Sequence, residues 1–217
     1  MRTLVIGSSG GIGAAIHAAA GAGAVGLSRS RDGLDLTDEA SIVRVMGALD
    51  GTFDRIMVTT GALELNGVPP EKSVRALNPD GLAAQFAVNA IGPALVLKHS
   101  LRLLPKDRPA RFAVLSARVG SIGDNRLGGW YSYRAAKAAL NQLIHTAAIE
   151  IARSHPLAVV VCLHPGTVAT PLTATYAGSH PTVTPDQAAA NLLTVLDGLT
   201  PADTGGFFDW QGNVIPW

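Results

Sequence analysis

Tyr133 and Lys137 stand four residues apart in the run Trp130-Tyr131-Ser132-Tyr133-Arg134-Ala135-Ala136-Lys137. In a helix that spacing puts both side chains on one face, in adjacent turns. A phenol ordinarily loses its proton near pH ~10, too high for acid–base work at neutral pH. A fixed ammonium beside it favours the phenolate and lowers that value. Such a pair can give and take a proton at a reacting oxygen. The same spacing also arises on solvated helix faces, so its meaning depends on what the rest of the chain places around it.

The pair sits in a helical pattern that begins at about Trp130 and runs to about Ser154, behind a strand at 111–117 and a Gly-rich loop. At the other end of the chain, Thr3-Leu4-Val5-Ile6 is a continuous apolar run, as expected of a strand covered on both faces. It enters Gly7-Ser8-Ser9-Gly10-Gly11-Ile12-Gly13 and then a helical pattern at 14–20. Glycine lets the backbone turn tightly and approach a phosphate, and the helix N-terminus offers free N–H groups to the anion. Gly7, Ser9, Gly11, Ile12 and Gly13 are therefore candidate cofactor contacts, although Gly7-x3-Gly11-x-Gly13 is not the common G-x-G-x-x-G spacing. A tight turn without a ligand is the plainer reading of the same residues.

A second strand at 24–28 ends in Ser28-Arg29-Ser30-Arg31, where a dinucleotide fold usually carries an acid for the ribose hydroxyls. Guanidiniums and hydroxyls suit a 2′-phosphate instead. Arg29 and Ser30 are thus candidate cofactor contacts, and NADP(H) is favoured, with NAD(H) left open; a solvated basic turn is the competing reading. The few residues between Ser30 and Leu34 leave no room for a full crossover helix. A helix capped around residues 37–39 runs to about Leu49, and the strand core Ile56-Met57-Val58 ends at Thr59-Thr60-Gly61-Ala62. Thr60 and Gly61 fit the edge of a ligand crevice. A polar, proline-bearing loop spans 64–79. A long helical pattern at 81–104 contains Asn89, an amide that must find partners in an apolar setting, and Pro93, a site for a kink. Further strands at 157–163 and 205–210 flank a loop and a helix at 186–199, which opens on Thr184-Pro185 as N-cap and first helical residue.

Strands alternate with helices throughout. This predicts an α/β fold: one domain over residues 1–217, a Rossmann-type doubly wound parallel sheet with helices on both faces. The formal net charge of +1 supplies no basic footprint for nucleic acid or a membrane surface, so neither is expected as a partner. The chain enters a strand at residue 3, no stretch reads as long and apolar enough to span a bilayer, and a cytoplasmic protein is expected. The single cysteine, Cys162, reads as a small buried hydrophobe. The six histidines (His17, His99, His145, His155, His164 and His180) form no i, i+4 pair, so no metal site is expected.

In this order, the glycine loop, Asn89, Tyr133-x3-Lys137 and Pro165-Gly166-x-Val168-x-Thr170 resemble the short-chain dehydrogenase/reductase family over nearly the whole chain. The tract from Gly120 to Lys137 and the ending at Pro216-Trp217 look like its small branch of C-factor and sniffer-type carbonyl reductases. The resemblance implies a carbonyl reductase that interconverts a small carbonyl compound and its alcohol. Tyr133 would protonate the carbonyl oxygen, and Lys137 would lower the tyrosine pKa and hold the nicotinamide ribose. Asn89 would order a proton-relaying water. Asp35 and Leu36 would hold adenine, and Pro165, Gly166, Val168 and Thr170 would lie beside the nicotinamide. It also implies a homo-oligomer, dimer or tetramer, paired through the helices that carry Asn89 and Tyr133. A serine hydroxyl would bind the substrate oxygen. The family often has Ser-Ser at the strand end where this chain has Ser116-Ala117, so Ser116 and Ser121 are both candidates, Ser121 slightly favoured. The family's N-N-A-G is replaced by Thr59-Thr60-Gly61-Ala62, and the loop at 170–184 is short enough to leave the pocket open. The competing functional readings are a non-catalytic dinucleotide-binding signalling or regulatory protein and an α/β scaffold that binds another phosphate ligand.

Overall fold

The computed structural model describes residues 1–65, 67–176 and 181–217; His180 and the centre of the 170–184 loop lie outside the described residues, as does Asn66. The chain folds as β1 (Thr3–Ile6), α1 (Gly11–Ala19), β2 (Ala24–Leu27), α2 (Arg29–Asp32), α3 (Glu39–Gly47), β3 (Arg55–Val58), α4 (Pro79–Phe86), α5 (Gly92–Ser100), β4 (Ala110–Leu115), α6 (Tyr131–Ile151), β5 (Ala158–His164), α7 (Pro185–Gly198) and β6 (Phe207–Asp209). All five strand pairings are parallel, in the order β2-β1-β3-β4-β5-β6. The chain leaves β1 toward one edge and returns to β3 on the other side. The switch point, where such sheets bind ligands, therefore falls between β1 and β3.

The strands are apolar without alternation because both faces are covered. Leu4, Ile6, Ile56, Val58, Phe112 and Val114 join the side packed by α3, α5 and α6 through Ile42, Met46, Leu97, Leu140 and Ile144. Val5, Met57, Ala113, Val161 and Leu163 face the other way, onto Ile16 of α1 and Leu192 and Leu196 of α7. The expected parallel doubly wound sheet is present, and its second crossover is abbreviated to the four-residue α2. Ser28 caps α2 by accepting from Arg31 N, and the turn closes on Gly33 at φ 66°.

Two expectations need correction. The helical pattern at 81–104 is not one α-helix: α4 and α5 are separated by a π turn, Ala87–Ile91, that contains Asn89. The π turn lies directly before Pro93, which has no N–H to bond the carbonyl of Asn89. In addition, the helical run Pro79–Leu103, 25 residues, does reach the length and apolar composition of a bilayer crossing. In this fold its buried residues Val96 and Leu97 pack in the core layer against the sheet.

Candidate active site

The glycine loop turns directly out of β1. Gly7 lies at φ 90°, its N–H bonds Leu27 O at 2.8 Å, and its carbonyl accepts from Gly10 N at 3.0 Å. A Cβ on Gly13 would sit 2.2 Å from Gly7 O, so only glycine lets the first turn of α1 press against the loop. Among the described residues no side chain caps the α1 N-terminus, and no acid occupies its first turn. Its N–H groups thus point at an unshielded, electropositive end. Around the loop lie buried hydroxyls without a protein partner, Ser8 Oγ and Thr60 Oγ1. An uncapped helix end, a glycine cradle and unpartnered hydroxyls fit a phosphate-bearing dinucleotide.

Several candidate residues lie close together at the C-terminal ends of the strands. A Cβ on Gly11 would lie 2.8 Å from Thr170 Cγ2, and one on Gly7 2.9 Å from Thr60 Cγ2. Farther along, a Cβ on Gly61 would lie 3.1 Å from Asn89 Oδ1 and 3.5 Å from Lys137 Nζ. Val168 is anchored by a bridge to Val183, and Gly166, at φ 77°, lies under the Trp210 indole. Pro165, Gly166 and Thr170 are half-buried, whereas Ser9 and Gly11 are exposed and Ile12 half-buried at the crevice rim.

The residues expected at the adenosine end follow β2. Arg29, Ser30 and Arg31 are exposed on α2, and neither arginine forms an ion pair among the described residues. The Asp32 carboxylate accepts from Ser28 N at 2.7 Å. Asp35 accepts from the Thr37 hydroxyl at 2.7 Å and its N–H at 2.9 Å, and these bonds, helped by Arg29, hold its carboxyl below the usual range. Leu36 meets the long helix closely enough that a Cβ on Gly92 would be 2.6 Å from Leu36 O.

Asn89 supports the middle of the crevice. Its Nδ2 donates to Ala62 O at 2.8 Å and to Gln85 Oε1 at 2.6 Å, while Oδ1 accepts from Ala62 N at 3.1 Å. Gln85 in turn donates to Leu63 O at 2.9 Å. The amide thus clamps the loop after β3 and uses both donors there. The π turn gives Asn89 this reach by rotating the helix locally, a use typical of π-bulges at functional sites. The replaced N-N-A-G segment also finds its bond: Thr59 Oγ1 donates to Ile6 O at 2.8 Å and ties β3 to β1.

Tyr133 and Lys137 are buried together on α6, with Lys137 Nζ 5.9 Å from the centre of the Tyr133 ring. Lys137 Nζ donates to Leu115 O at 2.9 Å. Burial lowers its pKa to about 8, with the adjacent Cys162 opposing that shift, and raises Tyr133 to about 12. In the protein alone the tyrosine is shifted upward by removal from water. Tyr133 is a fully protonated donor at neutral pH, and its hydroxyl has no protein partner among the described residues.

Neither candidate serine stands free. Ser116 Oγ donates to Asn141 Oδ1 at 2.6 Å, beneath α6. Ser121 Oγ donates to Pro216 O at 2.5 Å and accepts from Asp124 N at 3.1 Å, pinning the tail to the loop. The preference for Ser121 came from its place in the loop ahead of Tyr133; a partner 95 residues away engages it instead.

Sequence reasoning missed three contributors. Glu71 caps α6 from a distant loop: its carboxylate accepts from the Ser132 hydroxyl and from Ser132 N at 3.1 Å, and its carbonyl accepts from Trp130 N at 2.5 Å. Trp130 lies at φ 52°, edge to Tyr133 with ring centres 6.3 Å apart and edge to Tyr176 at 5.6 Å. The Tyr176 hydroxyl reaches Glu64 and links the two flanking loops. The signal for Trp130 was Gly128-Gly129 just before it; nothing local marked Glu71 or Tyr176.

A family model described as Enoyl-(Acyl carrier protein) reductase matches residues 12–204. The 1-hydroxy-2-glutathionyl-2-methyl-3-butene dehydrogenase of Rhodococcus sp. (strain AD45) is 33% identical over 192 residues, 85% of this chain and 79% of that protein. The C-signal protein of Myxococcus xanthus is 37% identical over 136 residues, 63% of this chain and 78% of that protein. Among solved structures, the NADPH-bound carbonyl reductase from chicken fatty liver superposes with a TM-score of 0.83 at 23% identity, over 100% of this chain and 94% of that one. With the Tyr133–Lys137 pair and the glycine loop in one crevice, and with a match that spans nearly all of it, the chain belongs to the short-chain dehydrogenase/reductase family.

Proposed function

We propose that the protein is an NADPH-dependent oxidoreductase that interconverts a small carbonyl compound and its alcohol. The observation that carries this reading is the burial of Tyr133 beside Lys137 at the end of a crevice whose other end is an uncapped, glycine-lined helix N-terminus. The bound dinucleotide would supply or accept the hydride. Gly7, Gly11 and Gly13 would admit its pyrophosphate, and Arg29 and Ser30, with Arg31, its 2′-phosphate. Thr60, Gly61, Val168 and Thr170 would line the nicotinamide end. Tyr133 would give its proton to the carbonyl oxygen as negative charge develops there. A phenol held near pKa ~12 keeps that proton until the oxygen becomes more basic. Lys137, still largely protonated at neutral pH, would stabilise the phenolate left behind. Asn89 would hold the loop at Ala62 and Leu63 so that Gly61 stays against Lys137.

The dehydrogenase name of the Rhodococcus relative and the NADPH named for the chicken structure agree with this reading. A second reading, a binding protein without turnover, is favoured by one observation: Ser116 and Ser121 are both engaged elsewhere, and Ala117 stands at the strand end. NADPH consumption across a panel of aldehydes and ketones separates the two. Turnover supports the oxidoreductase; a cofactor-induced rise in thermal stability without turnover on any carbonyl supports the binding protein.

A further inference from the structure

The geometry points to Trp130, with Tyr176 behind it, as the wall that seats a flat apolar substituent of the carbonyl substrate, and to Glu64 as the charge that turns carboxylate-bearing substrates away. The inference deepens the carbonyl-reductase reading and rests on it. Trp130 is the one non-glycine residue at positive φ among the described residues, and it follows Gly128 at φ 64° and Gly129 at φ 66°. A bulky residue in the left-handed region is strained, and such strain persists where the surroundings over-determine it, often at ligand clamps. Here the Trp130 N–H is fixed to Glu71 O at 2.5 Å, and Glu71 is itself locked onto Ser132. A glycine would meet the same backbone demand without strain. The indole is therefore not explained by the turn.

The ring's position does explain it. Trp130 meets Tyr133 at an interplanar angle of 74° and Tyr176 at 82°, and it is only half-buried. Perpendicular aromatic neighbours fix the indole's orientation, and the part of it left half-exposed can meet another π-system or a hydrocarbon. That surface lies beside the side chain that protonates the substrate oxygen. On the far side, Tyr176 bonds Glu64, which has no ion-pair partner among the described residues. An exposed carboxylate beside Tyr176 disfavours an anionic substrate relative to a neutral one.

The test compares kcat/KM with NADPH for benzaldehyde, butanal and phenylglyoxylate in the wild type and in W130G, W130F, W130L and E64Q. The wall predicts a benzaldehyde-to-butanal ratio of about tenfold or more in the wild type, reduced about tenfold in W130G through KM for benzaldehyde. W130F keeps the ratio and W130L loses it, which removes any dependence on whether W130G folds. E64Q raises phenylglyoxylate reduction relative to benzaldehyde. Equal ratios in W130F and W130L, or a W130G ratio equal to that of the wild type, overturn the wall while leaving the reductase reading intact. Wild-type protein that gains thermal stability from NADPH but reduces none of the three overturns both.

Discussion

Replacing Lys137 by Met should stabilise the cofactor-free protein at neutral pH while removing the ammonium proposed to stabilise the Tyr133 phenolate. The side chains are similar in length, and the substitution removes the buried charge and its hydrogen bond to Leu115 O. Burial moves the Lys137 pKa from 10.5 to about 8, which at about 1.36 kcal/mol per pH unit is a penalty of about 3 kcal/mol in the protonated protein. Methionine cannot donate to Leu115 O, whose loss of a partner costs about 1 kcal/mol. The net gain is about 2 kcal/mol, a rise in Tm of about 4–8 °C for a chain of this size. The pH dependence is diagnostic. The folded pKa lies below the unfolded one, so the penalty on the wild type is complete below pH ~8. It declines as pH rises toward 10.5 and is absent above it. Paired denaturant titrations of the wild type and K137M should give a gap that is constant from pH 6 to 7.5. It should then shrink and reverse to about −1 kcal/mol near pH 10.5, where only the lost hydrogen bond remains. A destabilised K137M at pH 7, or a gap independent of pH, refutes the claim that desolvation dominates at Lys137.

Three further outcomes follow from the same structure. R29A/R31A should raise the Kd for NADPH about tenfold or more and leave NADH within about threefold, because only the former carries the 2′-phosphate; fluorescence titration with each cofactor checks this, and equal losses contradict it. E71A should cost about 1 kcal/mol, the usual loss of a helix N-cap, measured by thermal unfolding. Burial pushes the Glu71 carboxyl up, but bonds from the Ser132 hydroxyl and N–H outweigh it and leave the group below the usual range. The contribution is therefore present above the unfolded carboxyl pKa and lost as pH falls through the folded value, so E71A and wild type should converge in acid. S121A should lower stability by about 1 kcal/mol by freeing Pro216 O, while kcat changes less than tenfold; a larger fall in kcat would return Ser121 to the catalytic group.

Much of the fold was legible because its signals are local. The uninterrupted apolar run Thr3–Ile6 implied a strand covered on both sides, and the glycines after it implied a loop that only glycine can form. The four-residue spacing of Tyr133 and Lys137 placed them on one face of α6 without any tertiary information. What stayed hidden depends on partners far apart in sequence. The sequence offers Ser121 as a candidate hydroxyl but not its bond to Pro216, 95 residues on, nor the Tyr176–Glu64 bond across 112 residues. The π turn at Asn89 leaves no composition signal, since Ala87–Ile91 is as apolar as the α-helical turns beside it. The four-residue spacing reveals the ammonium near Tyr133 but not the depth of burial that raises the phenol's pKa in the protein alone.

The central claim is that Tyr133 is the proton donor in a dinucleotide-dependent carbonyl reduction. It is tested most directly by the steady-state rate of NADPH oxidation by Y133F on any carbonyl the wild type turns over, at saturating cofactor. The account predicts a fall in kcat of about 10² or more, the usual worth of a positioned general acid, with NADPH affinity within about threefold of the wild type. A Y133F enzyme that retains near-wild-type kcat contradicts it.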